Sequence, residues 1–108
     1  MTEEEFDKIV GYRCDSIKAI LTIKGKEYRR ENNPLHNFER GAKITGQTPV
    51  RVLDGFVLKH LISYRDMLDD VEAGNIPSEE LVDEKFGDII NYFILQEAQI
   101  KNIIKENF

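Results

Sequence analysis

The chain of 108 residues has little of several features that define protein classes. It holds a single cysteine, Cys14, which excludes an internal disulfide framework and a cysteine-rich zinc site. No apolar run approaches the roughly 20 residues of a membrane-spanning helix. The first residues also lack the basic and apolar parts of a secretion signal. We therefore expect a cytoplasmic protein without membrane contact.

The chain also lacks an excess of positive charge. Its 15 lysines and arginines stand against 20 aspartates and glutamates, which gives a net charge of −5. Binding to duplex nucleic acid is not expected, because nonspecific contact with phosphates needs a basic surface. A glycine-rich phosphate loop, a Gly-x-Ser-x-Gly elbow and a Cys/His zinc spacing are also missing. The length and the 41% of hydrophobic residues predict one globular domain over residues 1–108.

What the chain does have is helical periodicity. Apolar residues at steps of three and four predict a first amphipathic helix from about Thr2 to about Arg30. A short connecting helix follows over residues 35–44 and is closed by Gly46.

Two more long helices follow the connector. Thr48-Pro49 supplies an N-cap hydroxyl and then a proline at the first helical position, and Gly74-Asn75 stops this helix. Ser78 opens the last helix, which should reach about Ile104. No segment alternates with period two for long enough to be a strand. The predicted fold is all-α, a bundle of three long helices plus one short connecting helix.

The last helix has apolar residues on two sides. Tyr92 and Leu95 lie away from its main apolar face. Apolar residues on a second face indicate a second packing surface, so we expect a homodimer that completes the bundle.

Carboxylates recur along the last two long helices. Glu84 and Asp88 stand one turn apart, with Asn91 in the same sector, while Asp66 and Asp69 form an i, i+3 pair on the preceding helix. A short connection makes these helices antiparallel neighbours, which would bring the four acids to comparable heights. Converging carboxylates need a cation, and oxygen ligands suit Mg²⁺. The alternative is that these acids are only solvated.

Further polar residues surround this predicted cluster. Lys59 and Ser63 share a face of the middle long helix with the acids, whereas His60 lies on its apolar side. His60 is therefore either a hydrogen-bonded core residue or a ligand. In the connector, Asn37 could read a base edge while Phe38 stacks or packs, or both residues serve turn and packing roles.

Four segments carry a resemblance to a known superfamily. They are Glu84-Lys-Phe-Gly-Asp88-Ile-Ile-Asn91-Tyr92, Lys59-His60-x-x-Ser63-x-x-Asp66, Lys26-Glu27-Tyr28 and Asn37-Phe38. Together they resemble small phage-type members of the all-α nucleotide pyrophosphohydrolases, which include the MazG proteins and the dimeric all-α dUTPases. Lys85 stands where MazG proteins have a glutamate, and Asp66-x-x-Asp69 stands for their Glu-x-x-Glu.

The resemblance implies Mg²⁺-dependent hydrolysis of a nucleoside triphosphate between its α and β phosphates. Asp66, Glu84 and Asp88 would be catalytic and hold the metal with support from Asp69. The substrate would be bound by a larger set, namely Glu27, Asn37, Phe38, Lys59, His60, Ser63 and Asn91. A relative that binds nucleotides without hydrolysing them is equally open. The rival hypothesis is a non-catalytic helical protein-interaction module of phage or prophage origin.

Overall fold

The computed structural model describes residues 1–107, with the side chains of Glu27 and Tyr28 left out. Its regular structure over those residues is helical, with no β-strand, so the all-α prediction is confirmed. The chain divides into two compact units, Met1–Pro34 and a second unit that begins at Leu35. One domain over residues 1–108 stays a prediction.

The first unit is a helical run in three pieces. α1 spans Glu3–Ile17, a π-helical segment spans Lys18–Lys24, and α2 spans Gly25–Tyr28. Thr2 begins the run with a capping box, in which its hydroxyl accepts from the Glu5 N–H and the Glu5 carboxylate accepts from the Thr2 N–H. The predicted long helix is therefore present, but its apolar spacing gave no sign of the wider π-helical turn.

The second unit holds three helices. α3 spans His36–Thr45, α4 spans Pro49–Glu72 and α5 spans Glu79–Asn107. The predicted cap of α4 is confirmed, because the Thr48 hydroxyl accepts from the Arg51 N–H at 3.2 Å. Gly46 ends α3 with a φ of 77°, a left-handed conformation that suits glycine.

α4 and α5 pack as antiparallel neighbours, as the short connection predicted. Tyr64 meets Phe86 edge to face with ring centroids 5.6 Å apart, and Phe56 stacks on Tyr92 at 5.8 Å. Nearer the other end, the Gln96 side chain donates to the Val50 carbonyl at 3.4 Å. In these contacts the residue numbers rise along α5 as they fall along α4, which defines the antiparallel register.

The core of this unit lies where α3 meets α4 and α5. Its buried members are Leu35, Phe38, Leu53 and Val57, with Val52, Tyr92 and Leu95 packed around them. Gly41 permits the close approach of α3 to α4, because a Cβ at this position would lie 3.0 Å from Val52 Cγ1. No helix within residues 1–107 is long and apolar enough to cross a membrane.

Replacing Leu53 tests this core. Leu53 has no exposed surface, so Leu53→Ala should lower the free energy of unfolding by about 2–5 kcal/mol through lost burial and a cavity. Leu58→Ala is the matched control, since Leu58 lies on the same helix and is 54% exposed. Its change should stay near about 0.5 kcal/mol. Equal losses in urea unfolding of the two variants would contradict this core.

Candidate functional site

The carboxylates predicted to converge lie on different faces. Asp66 and Asp69 are both exposed, whereas Met67 between them is buried. On a helix the two acids therefore turn about 100° and about 160° away from Met67. Within residues 1–107, no three His, Cys, Asp or Glu side chains come together as a group that could hold a metal ion.

The heights of the acids agree with the expectation only in part. The antiparallel register places Asp66 level with Val82 to Glu84, whereas Asp88 lies about 6–9 Å further along the helix. The expected convergence of Asp66 and Asp69 with Glu84 and Asp88 is therefore corrected. The expectation rested on helix order and did not fix which side of α4 faces α5. Mg²⁺ binding by these acids stays a prediction.

Asp88 instead contacts a histidine across the helix pair. Its carboxylate lies 3.7 Å from Nδ1 of His60, with the His60 side chain 17% exposed and that of Asp88 46% exposed. The imidazole also stacks on the Tyr92 ring, with centroids 4.6 Å apart and planes 22° from parallel. His60 is thus largely enclosed and lies beside a carboxylate, while its role as a ligand stays a prediction.

This contact is the centre of a longer strip that we call the α4–α5 seam. The seam consists of Phe56, His60 and Ser63 on α4 and of Lys85, Asp88 and Tyr92 on α5. At one end the Lys85 ammonium donates a hydrogen bond to the Ser63 hydroxyl. At the other end Phe56 stacks on Tyr92 and meets the edge of Phe38 at 5.8 Å. The seam thus has stacked aromatic rings at one end and polar contacts at the other.

The Tyr92 phenol is the titrating group most affected by the seam. Burial raises its pKa from the ordinary value of 10.0, and the nearby negative charge of Asp88 raises it further. Both effects disfavour the phenolate, so Tyr92 remains a neutral hydroxyl over the physiological range.

The remaining predicted substrate-binding residues are scattered. Lys59 and Asn37 are exposed, whereas Phe38 is buried in the core and packs instead of offering its ring face to a ligand. Asn91 is 6% exposed, and its carboxamide oxygen has no hydrogen-bond partner among the described residues. The Glu27 side chain lies outside the described residues.

Three residues of the seam, Phe56, Lys85 and Tyr92, were not among the site residues predicted from the sequence. A signal for them exists in the spacing. Phe56, His60 and Ser63 advance by four and then three, while Lys85, Asp88 and Tyr92 advance by three and then four. Mirrored steps of this kind match one another when two helices run antiparallel. The signal is readable only after the pairing of the helices is known.

Comparisons with known proteins give one informative similarity. No family model matches the chain, and no solved structure matches it. The chain is similar to the replication factor C large subunit of Thermoplasma acidophilum, with 29% identity over 104 residues. The alignment covers 85% of this chain and 25% of that protein. The chain thus spans about a quarter of the length of the curated relative it matches.

This similarity corrects the functional expectation. A nucleotide pyrophosphohydrolase was expected from short motifs, whereas the alignment extends over most of the chain and leads to a subunit of a replication factor. The expected function is therefore wrong. The similarity does not bear on the resemblance in fold to the MazG proteins, which stays a prediction.

Alkaline unfolding tests the environment of Tyr92. Because its pKa is raised in the folded protein, the unfolded chain loses the phenolic proton first as the pH rises. The contribution to stability is thus complete below the ordinary value of 10.0 and is lost above it. Tyr92→Phe keeps the ring stacking, and its stability should fall less between pH 8 and alkaline conditions. Equal declines in urea titrations of wild type and variant would contradict this.

A double-mutant cycle tests the pairing of His60 with Asp88. His60→Ala and Asp88→Asn should show a coupling free energy of about 0.5–1 kcal/mol at pH 5, where histidines are generally charged. Glu84→Gln is the matched control because Glu84 lies one turn away on the same helix and is exposed. Its effect should add to that of His60→Ala within about 0.3 kcal/mol. Equal coupling in both cycles would mean that His60 senses only general negative charge.

Proposed function

We propose that the chain acts in DNA replication as a helical assembly module that binds another replication protein. The observation that carries this proposal is the alignment with the replication factor C large subunit over 85% of the chain. The relative's name describes a subunit of a larger factor, and a subunit acts through contacts with other proteins. This chain matches a quarter of the length of that subunit. The proposed role is therefore contact with other proteins and not the activity of the whole subunit.

The charge of the chain supports contact with protein over contact with DNA. The net charge of −5 disfavours close approach to the phosphate backbone of DNA. Surfaces that bind DNA usually carry clustered lysine and arginine instead. Acidic proteins can still join replication assemblies by docking on other subunits. The proposed partner is therefore a protein.

The end of α5 supplies a surface for such docking. In the antiparallel register the first residue of α4, Pro49, lies level with Gln99, so the last two turns of α5 extend beyond α4. These turns carry Ile100, Ile103 and Ile104, and all three are exposed. Clustered exposed aliphatic side chains are a common mark of protein interfaces. We call this cluster the α5 tip.

The α5 tip has the polar border that interfaces usually have. Lys101 forms an ion pair with Glu97 at 2.8 Å on its exposed side, and Asn102 donates to the Glu106 carboxylate at 3.2 Å. Within protein interfaces an apolar centre contributes most of the binding energy, while a polar rim mainly excludes water. The isoleucines of the tip would form that centre.

Affinity purification tests the proposed role. The tagged chain, expressed in its native cells, should recover subunits of the replication factor C complex or proteins bound to it, as identified by quantitative mass spectrometry. Ile100→Glu with Ile104→Glu should reduce that recovery at least about tenfold, since buried anchors dominate binding.

Lys105→Glu is the matched control for this experiment. It changes the net charge by the same two units on the same two turns but keeps the isoleucines. It should retain most of the recovery, because rim charges contribute little. Recovery of no replication protein by the wild-type chain would overturn the proposed function, and equal loss in both variants would remove the α5 tip from it.

A further inference from the structure

The first unit leaves an amphipathic helix without cover. Apolar residues recur there at helical spacing, and we call them the α1 stripe: Phe6, Ile9, Val10, Cys14, Ile17, Ile20 and Leu21. None of residues 3–24, all of which the structure describes, is buried. Phe6 is 56% and Ile9 53% exposed, so the first unit does not cover them itself. Helices of this kind owe most of their stability to burial of the apolar face, so the stripe requires a partner.

The size of the stripe fits a specific interface. A standard interface buries about 800 Å² on each side, of which about 57%, or roughly 450 Å², is apolar. Four large side chains of the stripe, Phe6, Ile9, Val10 and Ile20, are 43–56% exposed, Cys14 is exposed, and Ile17 and Leu21 are partly exposed. Together they supply apolar area of that order. The stripe alone therefore suffices for the apolar centre of a symmetric dimer.

The charge distribution along this helical run identifies the partner. Residues 3–17 hold five acidic and two basic side chains, whereas residues 18–30 hold five basic and one acidic. The acidic members begin the run at Glu3, Glu4, Glu5 and Asp7, and the basic members end it at Lys24, Lys26, Arg29 and Arg30. A second copy laid antiparallel sets each acidic end against a basic end.

The opposite orientation is unfavourable for the same reason. Parallel pairing would align acidic ends with each other and basic ends with each other, and like charges placed across an interface cost several kcal/mol. Antiparallel pairing about a two-fold axis also makes the interface isologous, as in most homodimers. With the oppositely charged ends in register, the axis passes close to Cys14 and Asp15.

We infer that the α1 stripe is the surface on which two copies of this chain pair, antiparallel, as a homodimer. The sequence had suggested a dimer through a second face of α5, but Tyr92 and Leu95, which defined that face, pack against the core of the second unit. The exposed stripe and the segregated charges move the expected interface to the first unit. This inference does not depend on the proposed role in replication, since it concerns the purified chain alone.

Light scattering of the purified full chain at micromolar concentration is the first test. The wild type should have twice the chain mass of 12.5 kDa. Ile9→Asp, which places a charge in the stripe, should give the monomer mass. Ile104→Asp is the matched control, because Ile104 is also 53% exposed but lies on α5, and it should remain dimeric. Circular dichroism should show unchanged helix content in Ile104→Asp, and in Ile9→Asp a loss no larger than the helical run of the first unit, whose stability depends on pairing.

Charge reversal tests the antiparallel arrangement. Glu3→Lys with Asp7→Lys, or Lys24→Glu with Lys26→Glu, should each raise the dimer dissociation constant at least about tenfold. A mixture of the two reversed variants should form heterodimers again, since each end then meets an opposite charge. Parallel pairing predicts instead that each reversal alone leaves the dissociation constant about unchanged, because like charges would face each other both before and after the change.

A spin label outside the stripe provides a distance for the same test. Placed at Asp15→Cys in a Cys14→Ser background, it should report about 30 Å or less between copies, because Asp15 is exposed, packed helix axes lie 8–10 Å apart and the two-fold axis passes nearby. A monomeric wild type, a dimer dissociated by Ile104→Asp but not by Ile9→Asp, or a much longer label distance would each overturn the inference.

Discussion

The pairing of α4 with α5 is the contact on which the second unit depends. The two helices are joined by a strip that changes character along its length, from the stacked rings of Phe56 and Tyr92 to the hydrogen bond between Lys85 and Ser63. The stacked rings continue the core that Leu53 and Phe38 form with α3. Polar pairing at the other end sets the register, because a one-turn slip would separate both His60 from Asp88 and Ser63 from Lys85.

This register explains why the predicted acid cluster does not form. Once α4 turns Leu53, Val57 and Met67 inward, the acids near its end must face solvent. Asp88 remains on the inner side of α5 but meets an imidazole there instead of other carboxylates.

The two units differ in how much of their apolar surface is buried within the unit itself. The second unit encloses a small core and leaves its exposed isoleucines at one end of α5. The first unit encloses none over residues 3–24, so its stability depends on a surface supplied from elsewhere.

The helices could be predicted from the sequence because the signals that specify them are local. The Thr48-Pro49 cap, Gly46 and the apolar steps of three and four act within a few residues, and the structure keeps the elements they predict. The π-helical turn at Lys18–Lys24 escaped prediction because it preserves the same apolar residues. The neighbour that a helical side chain faces is not decided by local sequence signals. Successive side chains on a helix differ in direction by about 100°, so a small rotation of the helix changes which residues meet. The packing of α4 against α3 and α5, together with the polar contacts between α4 and α5, decided that His60 and Asp88 meet and that Asp66 is exposed.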